Sequence, residues 1–376
     1  MLTEVVHLPT AYFIDQSLPA ELQANVRALI LIDSLRNDCV LLVDSEQNML
    51  KKIAEAVFTW PQKYRDHAMR SLIQLDKAKR IVPMHPVPLS YGAWHAPYCL
   101  QAVALARQEQ PDGVIAASKC TCAQACSPMA AQSGVTLVSI DEYSVSAFAR
   151  TVSDRAVFER AKGVYAEKEL DAEVWRRIFR HTKRARVYDR YLGRTFVQEF
   201  SHCPLEVVRR YVEERQQGNP ANINVPQGCA QKYYEGVNRI CEAFARHSVR
   251  GGELIFHSDL RHPSGNYIDP LFITAAAIRL HDMASDFTRR FPGANGACNV
   301  EMCLIDSTNG GSEAEHDRYV VTDQLCLKIG KGIPLLNNRG VSTSISITKG
   351  RDGSIPYKPF RDPAKLLTRE RVGLKP

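Results

Sequence analysis

Residues 315–330 read E-H-D-R-Y-V-V-T-D-Q-L-C-L-K-I-G. The apolar run Tyr319–Val321 predicts a strand that begins at Arg318 and ends at Thr322, followed by a second strand over Leu325–Ile329. Side chains alternate faces along a strand, so His316 and Arg318, two residues apart, leave from one face. A histidine and a cation are thereby offered together to a single anionic group. A cation so placed can stabilise charge as it builds up on that group. Outward from this stretch the pattern is strand and helix in alternation. Strands are predicted over Ala185–Tyr188, ending at Asp189, and over Glu253–His257, Val300–Ile305 and Ser342–Thr348. Leu205–Arg215 and Leu271–Arg290 have helical spacing. Short apolar strands separated by helices predict a layered α/β domain.

His316, Arg318, Asp323 and Gly330 fall on the four positions of H-x-K-x4-D-x6-G, the motif of the phospholipase D superfamily, with arginine in place of lysine. The segment V-Y-D-R-Y-L, Val187–Leu192, resembles the opening strand of the phospholipase-D-like domain at the C-terminus of some MIT-domain proteins. The resemblance implies a mixed-sheet domain over roughly 185–350. It implies that His316 attacks phosphorus or donates a proton, that Arg318 holds the phosphate, and that Asp323 orients its neighbours, with Asp189 pointing toward His316. Lys331 stands where many members have serine or threonine. Lys331 and His257 are the substrate-binding candidates. His257 and His262, in F-H-S-D-L-R-H, are also candidates for a second acid. Most members carry two motifs and this chain shows one, which implies a homodimer that completes the site. No cofactor is implied for this module. Its partner would be nucleic acid, DNA or RNA, in bacterial defence or a stress response. The competing class is an inactive scaffold that binds phosphate, nucleic acid or lipid.

The first 150 residues carry their own pattern. Strands are predicted over Ala11–Ile14, Cys39–Val43 and Val135–Ile140, and helices over Glu21–Leu35, Gln47–Phe58 and Tyr98–Gln108. Acids follow the strands in F-I-D-Q-S (Asp15), L-V-D-S-E (Asp44, Glu46) and V-S-I-D-E-Y (Asp141). Asp112 precedes a small-residue run, Gly113–Ala131, expected to be helical. This order resembles the PIN-domain nucleases. It implies a parallel sheet whose carboxyl edge gathers Asp15, Asp44 or Glu46, Asp112 and Asp141 around one or two Mg²⁺ or Mn²⁺ ions that activate water.

A chain of 376 residues with 45% hydrophobic and 24% charged side chains has enough apolar content for two cores. The division expected is 1–150, a charged helical bridge over 151–184, the second domain over 185–350, and an extended basic tail over 351–376. The net charge of +7 permits an anionic partner without requiring one. Eleven scattered cysteines, an odd number, fit a reducing cytoplasm better than a disulfide framework. Cys120, Cys122 and Cys126 lack the second knuckle a zinc site needs, and Cys298 and Cys303 read as core. No basic leader followed by an apolar run opens the sequence, and no apolar stretch is long enough to span a bilayer.

Overall fold

The computed structural model describes residues 10–13, 22–43, 47–77, 80–83, 113–116, 136–139, 143–153, 156–163, 170–221, 223, 229–249, 251–261, 268–291, 298–306, 318–330, 333, 343–349 and 363–374. It divides into two compact units, Met1–Val157 and Phe158–Pro376.

The first unit is built on a parallel sheet: β1 (Thr10–Phe13), β2 (Val40–Val43), β3 (Ile81–Pro83), β4 (Gly113–Ala116) and β5 (Thr136–Ser139) lie in the order β3-β2-β1-β4-β5. Pairing registers such as Ala11 with Leu41 and with Gly113 set all neighbours parallel. The strand order reverses beside β1, the place where open parallel sheets present their ligand crevice at the carboxyl ends. Helices α1 (Leu22–Asp38), α2 (Asn48–Phe58) and α3 (Gln62–Lys77) supply the core with β2. Ala28, Leu31, Ile32 and Leu35 of α1 repeat at helical spacing and pack with Leu41, Val43, Ile53, Val57, Leu72 and Leu75. Asp33 cross-links α1 to α3, accepting from Ser71 Oγ at 2.6 Å and pairing with His67 Nε2 at 2.7 Å. The short α4 (Ala147–Ser153) adds Phe148 to this core.

Two expectations change here. Gly113–Ala116 is a strand, not the start of a helix. Small residues are poor evidence of helix when sheet neighbours supply the packing. The second change concerns 151–184, where charge predicted a solvated helical bridge. It contributes instead β6 (Ala156–Gly163), followed by a π-helical turn, Asp171–Trp175, and α5 (Arg176–Phe179). Leu170, Val174, Trp175, Ile178 and Phe179 of that helical stretch are buried.

The second unit holds a mixed sheet of seven described strands in the order β6-β12-β11-β10-β7-β8-β9. Strands β7 (Arg184–Tyr188), β8 (Glu253–Asp259) and β9 (Asn299–Ile305) are parallel. Strands β10 (Arg318–Val321), β11 (Leu325–Ile329) and β12 (Thr343–Lys349) form an antiparallel meander against β7. Helices α6 (Arg190–Phe200), α7 (Leu205–Gln217) and α8 (Cys229–His247) lie between β7 and β8 in the chain, and α9 (Pro270–Arg290) between β8 and β9. Asp269 caps α9 by accepting from the Leu271 N–H, and Pro270 occupies its first turn, where no N–H is needed. The run Ala275–Ile278 of α9 is fully buried.

The stretch expected as an extended tail is packed over 363–374. Leu366 bridges Ile305, the Leu367 N–H donates to the Leu304 carbonyl, and Val372 and Leu374 are buried. Its apolar residues, spaced among basic ones, gain burial there that an extended chain would forgo. Among the described residues no helix is long and apolar enough to cross a membrane.

Gly236 of α8 is required by a close approach: a methyl there would meet the Ile333 carbonyl oxygen at 2.3 Å. Gly236→Ala should therefore lower stability by about 1–3 kcal/mol through overpacking, read from a denaturant midpoint. A variant as stable as the parent would show that the contact relaxes freely.

Candidate functional site

Strand β7 ends at Tyr188, and Asp189 follows it as the N-cap of α6, its side chain accepting from the Tyr191 N–H at 2.9 Å. An acid at this position satisfies a helix-end donor and suits the positive end of the helix. Antiparallel pairing sets Tyr319 of β10 opposite Tyr188, so the next residues outward, Arg318 and Asp189, face each other at the sheet edge. Arg318 Nε stands 3.9 Å from Asp189 Oδ1.

The guanidinium of Arg318 is held on several sides. Its Nη1 donates to the Gly330 carbonyl at 3.2 Å, its Cζ lies over the Tyr191 ring 4.7 Å from the centroid, and its charge is felt at the Tyr233 hydroxyl of α8. Only 14% of its side chain is exposed. Asp189 also accepts from the Ile333 N–H at 3.3 Å. Burial drives the Asp189 pKa up, and Arg318 with the backbone donors draws it back down without cancelling the rise. Burial likewise raises the Tyr233 pKa, helped by the Asp189 charge and opposed by Arg318. Tyr233 thus remains a neutral hydroxyl that can donate and accept.

Behind this edge stands a second buried pair. Asp259, the last residue of β8, binds Arg194 Nη2 at 2.9 Å and caps Arg261 through its N–H. Ser258 accepts from the Gly193 N–H at 2.8 Å and donates to the Asp189 carbonyl at 2.6 Å, tying α6 to β8. Asp306 follows β9, its pKa raised by burial and by Asp259. The three parallel strands thus each end in an aspartate: Asp189, Asp259 and Asp306. Sequence reading singled out the first and missed the other two. The signal was an acid directly after each apolar strand, legible in F-H-S-D and in C-L-I-D.

The other expected site residues are dispersed. Asp323 lies in the hairpin turn between β10 and β11, separated from Arg318 by about 16 Å of strand. Its Oδ2 accepts the Lys183 and Arg184 N–H groups at 2.9 and 2.8 Å. Asp323 therefore clamps the start of β7, whereas Asp189 and Arg318 meet at its end. His257 pairs in register with Tyr188. Its ring is buried and stacked on the Tyr188 ring, centroids 4.5 Å apart. Burial, then Arg186, pulls its pKa down to about 3. A histidine this reluctant to charge makes a poor proton donor near neutrality.

His316, Lys331 and His262 lie outside the described residues, as do Asp15, Asp44, Glu46, Asp112 and Asp141 and the cysteines at 120, 122 and 126. Strands β1, β2 and β5 end just before Asp15, Asp44 and Asp141 in sequence, at the carboxyl edge of the parallel sheet. Strand β4 begins directly after Asp112, at the amino edge. Among the described residues no group of three or more His, Cys, Asp or Glu side chains is placed to hold a metal.

Asp323→Ala should cost about 1 kcal/mol of stability by leaving two backbone donors to water, read from a urea midpoint. An unchanged midpoint would refute the clamp. For His257, the depressed pKa means that below the unfolded value of 6.5 only the unfolded chain takes up the proton. Its contribution to stability is whole above that pH and is lost as pH falls toward about 3. His257→Phe keeps the stacking and removes the titration. Its melting temperature should fall less between pH 6.5 and 4 than the parent's. Parallel falls would rule out a buried neutral imidazole.

Compared with protein-family models, with curated proteins and with solved structures, the chain matches none.

Proposed function

We propose that the second unit is a phosphodiesterase acting on nucleic acid, with Arg318 holding a phosphate and His316 as nucleophile or general acid. The observation that carries this reading is the pairing of Arg318 with the strand-end carboxylate Asp189, two residues from His316 in a strand-like sequence. A phosphate reaching this edge would find a pre-oriented guanidinium, which stabilises charge in a displacement without reorganising. Asp189, the Gly330 carbonyl and the Tyr191 ring would fix the plane of that guanidinium. A single motif supplies one histidine for a reaction that uses two, so the working form is proposed to be a homodimer.

The first unit is proposed to be PIN-like, with Asp15, Glu46 or Asp44, Asp112 and Asp141 as candidate ligands for Mg²⁺ or Mn²⁺. The strand order β3-β2-β1-β4-β5 and its reversal beside β1 support this reading. The position of Asp112 before β4 weighs against its sharing one edge with the other acids.

One observation favours a second reading. Arg318 is mostly buried and already donates to the Gly330 carbonyl, which suits a module that binds phosphate without cleaving it.

Single- and double-stranded DNA and RNA, incubated with the protein with and without EDTA, separate these readings. The enzyme reading expects cleavage that survives EDTA and falls about a hundredfold or more in His316→Ala. Full EDTA-resistant activity in that variant would defeat it, and tight binding with no cleavage would favour the scaffold. Cleavage abolished by EDTA would point to the first unit, and a strictly monomeric mass in solution would remove the dimer.

A further inference from the structure

Away from the Asp189 edge, α7, α9 and the C-terminal segment border a half-open cavity of about 300 Å³ with Arg215, Arg279, Arg289 and Arg369 on its walls. Two carboxylates share those walls, Asp282 and Asp286. The question is whether the acids use up the arginines.

Arg215 is fully engaged. Its Nε and Nη2 donate to Asp282 at 3.0 and 2.8 Å, and its Nη1 donates to the Asn219 carbonyl at 2.8 Å. This bidentate pair neutralises Asp282 and makes a rigid wall. Arg289 pairs with Asp286 three residues away on α9, and both side chains are largely exposed. An exposed pair of that kind is weak and can open. Arg279 forms no ion pair among the described residues and is exposed. Arg369 is held by one nitrogen, Nη1, which donates to Ser285 Oγ at 2.9 Å and to the His281 carbonyl at 3.4 Å. No acid among the described residues pairs with it. The cavity is thus left with two uncompensated guanidinium groups, one of them pre-oriented by backbone and hydroxyl contacts.

We infer that this cavity binds a phosphate monoester. The dianion matches the two free positive charges, and the planar fork of a guanidinium matches phosphate oxygens. The volume exceeds that of a phosphate group alone and leaves room for an attached nucleoside. Asp282 and Asp286 are each neutralised by a neighbour and do not repel the ligand. The inference is independent of whether Arg318 takes part in phosphodiester cleavage. The phosphate could come from a free nucleotide or from the 5′ end of a nucleic-acid strand.

The test is titration calorimetry on the full chain with AMP, adenosine, and a dinucleotide with or without a 5′-phosphate. AMP should bind and adenosine should not. Arg279→Gln, an exposed position, should weaken AMP binding by about tenfold, as expected for loss of one charge-assisted contact. Arg279→Gln should leave any EDTA-resistant cleavage at the Asp189 edge unchanged, separating this cavity from that edge. A phosphorylated dinucleotide that binds more tightly than AMP assigns the ligand to a strand end, and the reverse order assigns it to a free nucleotide. Equal affinity for AMP and adenosine, no binding of either phosphate compound, or parent-like binding by Arg279→Gln overturns the inference.

Discussion

The second unit is organised by one buried carboxylate. Asp189 ends β7, caps α6, receives the Ile333 backbone and faces Arg318. These contacts join the parallel half of the sheet to the meander, and each is made at the edge where the strands stop. A carboxylate without such partners would be too costly to bury. Removal of any one partner would leave the others around an under-satisfied acid. The fold and the candidate site therefore share their central residue, and a change that disturbs one disturbs the other.

Helix α6 shows how close the supporting layer must come. Gly193 lies where a methyl would meet the Asp259 carbonyl oxygen at 2.7 Å. That approach lets Ser258 bridge the Gly193 N–H and the Asp189 carbonyl, and lets Arg194 reach Asp259. Breaking a buried pair such as Arg194–Asp259 by removing one partner costs more than the pair itself contributes, because the survivor is stranded. The layer behind the site is thus held by polar contacts that tolerate little displacement, the condition under which a guanidinium at the edge keeps its orientation.

Most strands and the helices α1, α2, α7 and α9 were legible from apolar runs and helical spacing, because burial on one face imposes a period. The runs Leu325–Ile329 and Leu271–Arg290 are clear cases, predicted within a residue of the observed elements. Pattern alone gave no reading of α3, α6 or α8, and in the second unit's sheet it missed the margins. Strand β6 is an outer strand, and edges carry charge to resist pairing with other chains, so its Glu159, Arg160 and Lys162 imitate a solvated helix. The opposite margin, β9, is covered by the segment around Leu366, whose partners are remote in sequence. The site divides in the same way. The strand-end position of Asp189 could be read locally. The separation of Asp323 from Arg318 and the burial of His257 depend on register and on neighbours that no local pattern encodes.

The arginine at position 318 is explained by this neighbourhood. Lysine would bring the same charge on a flexible stem, with no planar face to lay against Tyr191 and no fork to reach Gly330 while facing Asp189. At a site only 14% exposed, an ammonium would lose more hydration than its few contacts return, whereas a guanidinium is more weakly hydrated and distributes its donors. Arg318 can therefore serve as a structural tie and still present part of its charge at the edge. These two duties oppose one another. Each contact that fixes the plane uses a donor that a phosphate would otherwise receive, so tighter seating gives better orientation and weaker capture. The balance at this site lies toward orientation, so the proposed reaction would require a second contribution, from His316 or from another subunit.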